Sequence, residues 1–235
     1  LYSEVPSDPF GAAWWFLVHG GFLAILLPGI YAVASWWKHE RQHKYQHGIT
    51  YQLLAVDVPK DSEQSPQAVE QVFGALSATL VKPTLIDRWW TGKSQESFSF
   101  EIVSLGGYIQ LLIRTPSDYR DLIESAIYAH YPNAELTEVE DYVKRIPTDF
   151  DTDTYDLWGT EFEMMKHWVY PVKTYPEFEH KLSQDFKDPM AQLLEVLGRV
   201  GADEDIWLQL LVTPIDDSWK EESAEVVKKM VEGEK

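Results

Sequence analysis

Residues 96–115 read ESFSFEIVSLGGYIQLLIRT, and this stretch decides the fold of the larger part of the chain. Two runs rich in β-branched and aromatic residues lie on either side of Gly106-Gly107, which is the pattern of a β-hairpin. The predicted strands are 96–105 and 108–115. Any larger fold must therefore be built around an antiparallel pair of strands.

Two amphipathic helices and two further strands are predicted around this hairpin. Apolar residues recur with helical spacing after Ser65-Pro66 and again after Ser117, and both positions have the residue types that start helices. The further strands are predicted at 49–60 and 136–143. The order β-α-β-β-α-β predicts an α+β fold, the split βαβ or ferredoxin-like arrangement, over residues 49–145.

The C-terminal part partly repeats this pattern. WLQLLVTP at 207–214 echoes YIQLLIRTP at 108–116, and an amphipathic segment at 189–200 precedes it. The segment FEMMKHWVYPV at 162–172 predicts a strand before that helix. We therefore expect tandem ferredoxin-like domains, with residues 146–235 forming a linker and a second, incomplete copy.

The N-terminal part predicts one transmembrane helix. Residues 11–37 carry no charged side chain and are long enough to cross about 30 Å of hydrocarbon, with Pro28 as a point where the helix could kink. Trp14 and Trp15 lie near one end of this run, and Trp36 and Trp37 lie at the other. Tryptophans at both ends are typical of the two interfaces of a membrane span.

The charges on either side predict how this helix would be oriented. Acidic residues precede it, whereas Lys38, Arg41 and Lys44 follow it. Because basic residues stay on the cytoplasmic side, residues 1–10 are expected outside and the rest of the chain in the cytoplasm, at the inner membrane. Residues 38–48 would form a basic juxtamembrane helix that contacts anionic headgroups.

The same juxtamembrane segment contains a possible metal motif. His39, Glu40 and His43 spell H-E-x-x-H, in which two histidines bind zinc and the glutamate acts as general base, and His47 could be a third ligand. The intervening Arg41 indicates a helix that is wet on all sides, unlike the buried helix of a metalloprotease. A polar membrane exit is the favoured interpretation, and a zinc protease remains a remote alternative.

Two further motifs are weighed against simpler interpretations. Asp149, Asp151 and Asp153 alternate like calcium ligands, but Thr160 stands where the bidentate glutamate should be, which favours a solvated acidic linker. Trp89 and Trp90 lie in the predicted loop 82–95. They predict an interface with lipid or another subunit, or else they cover an open face of the sheet.

Composition excludes several classes of function. The chain has no cysteine, so disulfides and thiol chemistry are absent, and the net charge of −18 argues against direct binding of nucleic acid. The sequence contains no P-loop, no G-x-G-x-x-G and no G-x-S-x-G motif. No catalytic residue and no cofactor are therefore predicted, and the chain is expected to be non-catalytic.

Three longer segments carry a resemblance to a known family: VYPVKTYPEFE (169–179), DPMAQLLEVLGRV (188–200) and WLQLLVTPIDDSW (207–219). Together with the N-terminal span and basic segment, they resemble the N-terminal region of membrane-anchored coupling ATPases of type IV secretion and conjugative transfer. The chain is most similar to a family of such proteins from small-genome candidate-phylum bacteria, in which an FtsK/HerA-type ATPase follows.

The resemblance implies a membrane anchor and adaptor that forms homo-oligomers and works with a cytoplasmic ATPase. Because the sequence begins at Leu1 and ends before any ATPase motif, we expect an incompletely represented polypeptide, with the motor in cis or in a partner. A second hypothesis is a freestanding membrane scaffold or receptor that binds a protein by strand addition. The two are distinguished by whether a motor accompanies the chain.

Overall fold

The structure is a computed structural model that describes residues 8–59, 67–147, 155–170, 172 and 190–233. The chain divides into two compact units. The first consists of the residues up to Ile49 together with Val81–Ser94, and the second consists of Thr50–Leu80 and the residues from Gln95 onward. The fold is mixed α+β, as the sequence predicted.

Two helices make up most of the first unit. Helix α1 spans Pro9–Phe16 and helix α2 spans Leu23–Gly48, with a π-helical turn at Leu17–Gly21 between them. The Asp8 carboxylate caps α1 by accepting a hydrogen bond of 2.6 Å from the Gly11 amide, and proline occupies the first position, where its missing N–H is not needed.

The break between these helices replaces the continuous helix that the sequence predicted over 11–37. Gly20 has φ +104°, a conformation that side chains with a Cβ rarely adopt. A Cβ at Gly21 would lie 2.2 Å from the Phe16 ring, so the close packing of this turn also needs glycine. Pro28, where the sequence allowed a kink, lies inside α2. The bend is therefore set by the glycine pair.

Within the described residues, no helix taken alone combines the length and apolar character needed to cross a membrane. The segments Pro9–Gly21 and Leu23–Gly48 meet those criteria only as a pair, and they are bent by 60° at the break between them.

The second unit is built on a five-stranded antiparallel sheet with the order β4-β1-β3-β2-β5. The strands are β1 Tyr51–Asp57, β2 Phe98–Leu105, β3 Tyr108–Pro116, β4 Glu135–Glu138 and β5 Asp205–Val212. Helix α3 (Gln67–Leu76) joins β1 to β2, and helix α4 (Arg120–His130) joins β3 to β4. Because β3 lies between β1 and β2, the first four strands have the predicted split βαβ arrangement, and the hairpin is confirmed.

Alternation along the strands gives the sheet two different faces. One face packs against α3 and α4 in a core of buried apolar residues: Leu54, Val72, Leu76, Phe98, Ile113, Ile123, Ile127 and Ala134. The other face carries a smaller cluster of Leu53, Val103, Leu112 and Tyr142. Adjacent residues such as Leu53 and Leu54 therefore point to opposite sides, as expected for a strand covered on both faces.

The C-terminal residues differ from the predicted second domain. Strand β5 does not start a new sheet but pairs with β2, in a register that runs from Phe98 opposite Val212 to Leu105 opposite Asp205. This pairing satisfies an edge of β2 that would otherwise stay open. No strand forms within 155–170, where part of one was predicted. Helix α5 (Ala191–Leu197) precedes β5, as predicted, and helix α6 (Trp219–Glu232) follows it.

Candidate interaction surface

The aromatic and basic residues that the sequence assigned to a membrane interface all belong to the first unit. Trp14 exposes 70% of its surface. Trp15 stacks on His19 with ring centroids 4.1 Å apart, and the His19 Nδ1 atom lies 2.8 Å from the Trp15 carbonyl oxygen, to which it donates when protonated. Trp36, at the other end of the apolar run, is 64% exposed.

Trp37 is the centre of an aromatic cluster that joins two segments distant in sequence. Its Nε1 donates a hydrogen bond of 3.0 Å to the carbonyl oxygen of Trp89, and its ring meets that of Trp90 edge-on with centroids 6.2 Å apart. The Arg41 guanidinium lies 4.6 Å from the Trp37 ring centroid, within the range of a cation–π contact. Trp89 and Trp90 thus pack on α2, although Trp90 stays 67% exposed.

A short π-helical turn, Asp87–Thr91, holds these tryptophans in place. The Asp87 carboxylate accepts hydrogen bonds from the Thr84 hydroxyl at 2.7 Å and the Thr84 amide at 3.1 Å. Gly92 ends the turn with φ +76°, and a Cβ there would lie 2.2 Å from the Arg41 carbonyl oxygen. Only glycine allows this approach to α2, so residue 92 fixes the position of the turn.

An open apolar groove runs along this part of the first unit, with a volume of about 560 Å³. Its lining consists of Leu26, Gly29, Ile30, Val33, Ala34, Trp37, Trp89 and Trp90. Nothing lies within 4 Å of a Cβ built at Gly29, so the small residues of α2 leave this space open. Leu85 and Ile86, just before the turn, are 74% and 71% exposed. The unit thus presents a large uncovered apolar surface.

The histidines of the H-E-x-x-H motif lie along α2. The His43 and His47 Nε2 atoms are 3.0 Å apart and form a hydrogen bond, while the His39 and His43 ring centroids are 6.5 Å apart. Glu40 forms an ion pair of 3.0 Å with Lys44, whose hydrogen bond lowers the pKa of that carboxyl. A glutamate so engaged is a weaker general base than the motif requires.

Metal binding gains no support from the arrangement of side chains. Among the residues that the structure describes, no group of three or more histidine, aspartate or glutamate side chains is placed to hold a metal ion. Asp149, Asp151 and Asp153, weighed as calcium ligands, lie outside the described residues. The structure therefore does not strengthen the zinc-protease hypothesis.

A buried polar network in the second unit was not predicted from the sequence. The Glu101 side chain is fully buried and accepts hydrogen bonds from Arg114 Nε at 3.2 Å and from the Tyr142 hydroxyl at 2.7 Å. Arg114 also donates to both carboxylate oxygens of Asp141, at 2.7 and 3.1 Å. Gln209 of β5 donates to the Tyr142 hydroxyl at 2.8 Å. The network thus ties β5 and the segment after β4 to the centre of the sheet.

Asp141 and Tyr142 have shifted pKa values in this environment. Burial, followed by the hydrogen bond to Glu101, raises the pKa of Tyr142 to about 12. The hydrogen bonds from Arg114 lower the pKa of Asp141. Trp207 packs edge-on against Tyr142 with ring centroids 4.8 Å apart. With all partners on one sheet face and no described cleft beside them, this arrangement fits a structural clamp better than a catalytic site.

One signal in the sequence could have revealed this network. Glu101 and Arg114 lie in the interior of the two strands of the hairpin, surrounded by apolar residues. Opposite charges on adjacent strands of a largely apolar hairpin indicate an ion pair that is buried and not exposed to solvent.

Strand β5 leaves apolar side chains exposed at the edge of the sheet. Leu210 and Leu211, which point to opposite faces, are 55% and 68% exposed. In the segment 155–170, Trp158 and Phe162 are 82% and 85% exposed. Exposed apolar residues on a sheet edge and in an irregular segment are typical of surfaces that bind another protein.

Comparison with known proteins gives one match. The family model described as Domain of unknown function (DUF8128) matches residues 37–234. Neither a curated protein nor a solved structure shows significant similarity to the chain. The matched range covers the second unit up to residue 234, the C-terminal half of α2 (37–48) and the turn that carries Trp89 and Trp90.

Proposed function

The chain belongs to the DUF8128 family, and we propose that it is a non-catalytic membrane anchor and adaptor. In this proposal the first unit enters the bilayer from Pro9 to Trp37, and the second unit binds other proteins in the cytoplasm. The basic residues after Trp37 face anionic headgroups on the cytoplasmic side, with the N-terminus outside.

The exposed apolar surface of the first unit is the observation that carries this proposal. Leu27, Tyr31 and Val33 of α2 are 59%, 76% and 65% exposed, and no residue of α1 or α2 is buried. Apolar surface of this extent is unfavourable in water and marks an interaction site. Leu85 and Ile86 add to it from a second segment. A bilayer covers all of these side chains at once.

The polarity of α2 along its length supports the same conclusion. Fifteen residues, 23–37, rise by about 22 Å in an α-helix, and this part carries no charge. Lys38, Arg41 and Lys44 begin immediately afterwards, next to the cluster of Trp37 with Trp89 and Trp90. Tryptophan and basic side chains at one level along a helix are typical of the boundary between hydrocarbon and headgroups.

A pair of matched substitutions tests the anchor. Leu27→Asp places a charge on α2, and Leu211→Asp places one on β5, where the native leucine is similarly exposed at 68%. We expect the wild-type chain and Leu211→Asp to float with liposomes in a density gradient, and Leu27→Asp to stay at the bottom. Equal flotation of the two variants, or a wild-type chain that does not float, would overturn the membrane anchor.

The finer proposal is that the anchor serves a translocase of the type IV secretion or conjugation kind, with an FtsK/HerA-type ATPase in the same polypeptide or in a partner. It rests on the sequence resemblance. The intact mass of the polypeptide extracted from its source membrane tests it: a mass well above 27.2 kDa is expected if a motor follows in cis. A mass near that value directs the search to a partner that co-purifies with it.

Homo-oligomerisation belongs to the same proposal, with the exposed part of Trp90 as one contact. Replacing both Trp89 and Trp90 by alanine is expected to reduce the particle mass in detergent, measured by light scattering. An unchanged mass would remove these residues from the subunit interface.

The exposed edge of β5 favours one alternative, a freestanding scaffold or receptor. Its outer apolar residues could receive a strand from a partner, with main-chain hydrogen bonds supplying affinity. The absence of any motor in the native complex would favour this alternative.

A further inference from the structure

We propose that the groove of the first unit is a binding site for one anionic phospholipid. This inference rests on the proposed membrane anchor and adds a specific ligand to it. An acyl chain would lie in the groove beside Gly29 and Ala34, and the phosphate would lie against Arg41.

The lining of the groove has the chemistry of an acyl-chain site. All of its lining residues are aliphatic, aromatic or glycine, and the one polar atom of the Trp37 ring, Nε1, is already donating to the Trp89 carbonyl. The volume of about 560 Å³ lies within the range of small-molecule sites, about 300–1,000 Å³. Gly29, which has no side chain, and Ala34, which has only a methyl group, leave this room.

The end of the groove has the charge that a headgroup needs. Arg41 is held over the Trp37 ring at 4.6 Å, so a guanidinium stands beside the last residue of the lining. Its planar N–H groups can form paired hydrogen bonds with phosphate oxygens. Lys38 follows Trp37 directly and adds a second cation at this level. An apolar groove that ends at a cation is complementary to a lipid with an anionic head.

The same charge argues against a second copy of α2 as the occupant, so the subunit contact proposed at Trp90 would lie beside the groove and not in it. A parallel helix packed in the groove would place its own Lys38 and Arg41 beside those of the first copy. Like charges at such a contact are unfavourable, whereas an anionic lipid neutralises them. Nothing lies within 4 Å of a Cβ built at Gly29, so the space beside this residue is open.

Lipid retention tests the site. The full chain is reconstituted in vesicles of phosphatidylcholine and phosphatidylglycerol in equal amounts, re-extracted in mild detergent, and its bound lipid is quantified by mass spectrometry. Ala34→Leu fills the groove, while Ala32→Leu makes the same change on α2 outside the lining. Arg41→Gln removes the proposed phosphate contact, while Lys82→Gln removes an exposed cation elsewhere in the same unit.

We expect the wild type to retain phosphatidylglycerol in preference to phosphatidylcholine, and Ala34→Leu to lose it. Arg41→Gln should reduce the preference about fivefold, the factor for roughly 1 kcal/mol per cation near an anionic surface. The two control variants, Ala32→Leu and Lys82→Gln, should retain lipid as the wild type does.

Three results would overturn the site: no retained lipid, equal loss in Ala34→Leu and Ala32→Leu, or a change of particle mass in Ala34→Leu, which would make a second copy the occupant. Equal retention of both lipids with no effect of Arg41→Gln would overturn the headgroup assignment. If the wild type floats with liposomes but retains no lipid, only this inference fails. If it does not float, the anchor fails as well.

Discussion

The two units differ in how far they bury the same apolar amino acids. Leu54 in β1 is fully buried, whereas Leu27 in α2 is 59% exposed. Strands and helices of the second unit bury their apolar faces against each other around the sheet. The helices of the first unit bury no side chain of their own. The second unit therefore supplies its own apolar environment, whereas the apolar side chains of α1 and α2 stay exposed, and we propose that a bilayer covers them.

The polar residues show the reverse contrast. In the second unit, Glu101 is fully buried and paired with Arg114, so the charge is compensated within the protein. In the first unit, the Glu40–Lys44 ion pair has side chains 41% and 65% exposed, and the charged residues of α2 are confined to the part after Trp37. Exposed pairs of this kind contribute little stability. The arrangement of charge in the first unit thus fits a position at a membrane surface.

The largest expected effect comes from making one substitution in both units. Leu54→Ala should lower the free energy of unfolding by about 2–5 kcal/mol, because it leaves a cavity in the core of the sheet. Leu27→Ala should leave that free energy unchanged. Urea denaturation of the detergent-solubilised chain, monitored by circular dichroism, measures the free energy of unfolding of both variants. A similar loss in the two variants would mean that the first unit is packed as a protein core.

Alkaline pH should destabilise the second unit through Tyr142. Its folded pKa of about 12 lies above the ordinary value near 10, so the folded state resists losing this proton. The stability from the neutral phenol is complete below about pH 10 and is lost as pH rises toward 12, by up to roughly 2–3 kcal/mol.

Tyr142→Phe is the control for this titration. It should be less stable at neutral pH, because the hydrogen bonds with Glu101 and Gln209 are lost, and its stability should fall less between pH 10 and 12. Parallel curves for wild type and variant would show that Tyr142 does not carry the alkaline transition. Other groups titrate in the same range, so the difference between the two curves is the quantity to compare.

Local pattern was sufficient to predict the hairpin and its surroundings. The segments of β2 and β3 are rich in β-branched and aromatic residues and meet at Gly106-Gly107. The two helices on either side have clear start signals in the sequence, so the split βαβ order could be predicted. The sequence pattern did not predict that β5 belongs to the same sheet. Its pattern resembles that of β3, and a repeated pattern does not say whether a strand begins a second sheet or extends the first.

The sequence predicted Trp37, Arg41 and Trp89 as interface residues, which stays a prediction, but it did not predict the contacts among them. Trp37 and Trp89 are 52 positions apart in the sequence, and their contact depends on the approach of the turn at Gly92 to α2. No local sequence pattern predicts this tertiary contact. The break at Gly20 was missed because Pro28 is the stronger helix breaker in a sequence, although α2 accommodates it.

Gly92→Ala should disrupt the contact within the first unit. Its φ of +76° and the 2.2 Å approach to the Arg41 carbonyl leave no room for a methyl group, so the turn must move away from α2 at a cost of about 1–3 kcal/mol. Hydrogen exchange should become faster at the Lys93 amide, which donates to Asp87 in the wild type. Unchanged protection there would mean that the turn tolerates a side chain at residue 92.

Gly74→Ala is expected to have the smallest effect, and the opposite sign. Gly74 lies in α3 with nothing within 4 Å of a built Cβ, so alanine meets no obstacle and restricts the unfolded chain. The sheet unit should gain about 0.5–1 kcal/mol in its free energy of unfolding. Gly29→Ala in α2 also meets open space, but it should not change that free energy, because α2 is not part of the sheet unit. A gain of equal size from Gly29→Ala would show that the two units unfold together. The chain would then be a single cooperative structure, and not a self-contained sheet unit joined to the proposed anchor.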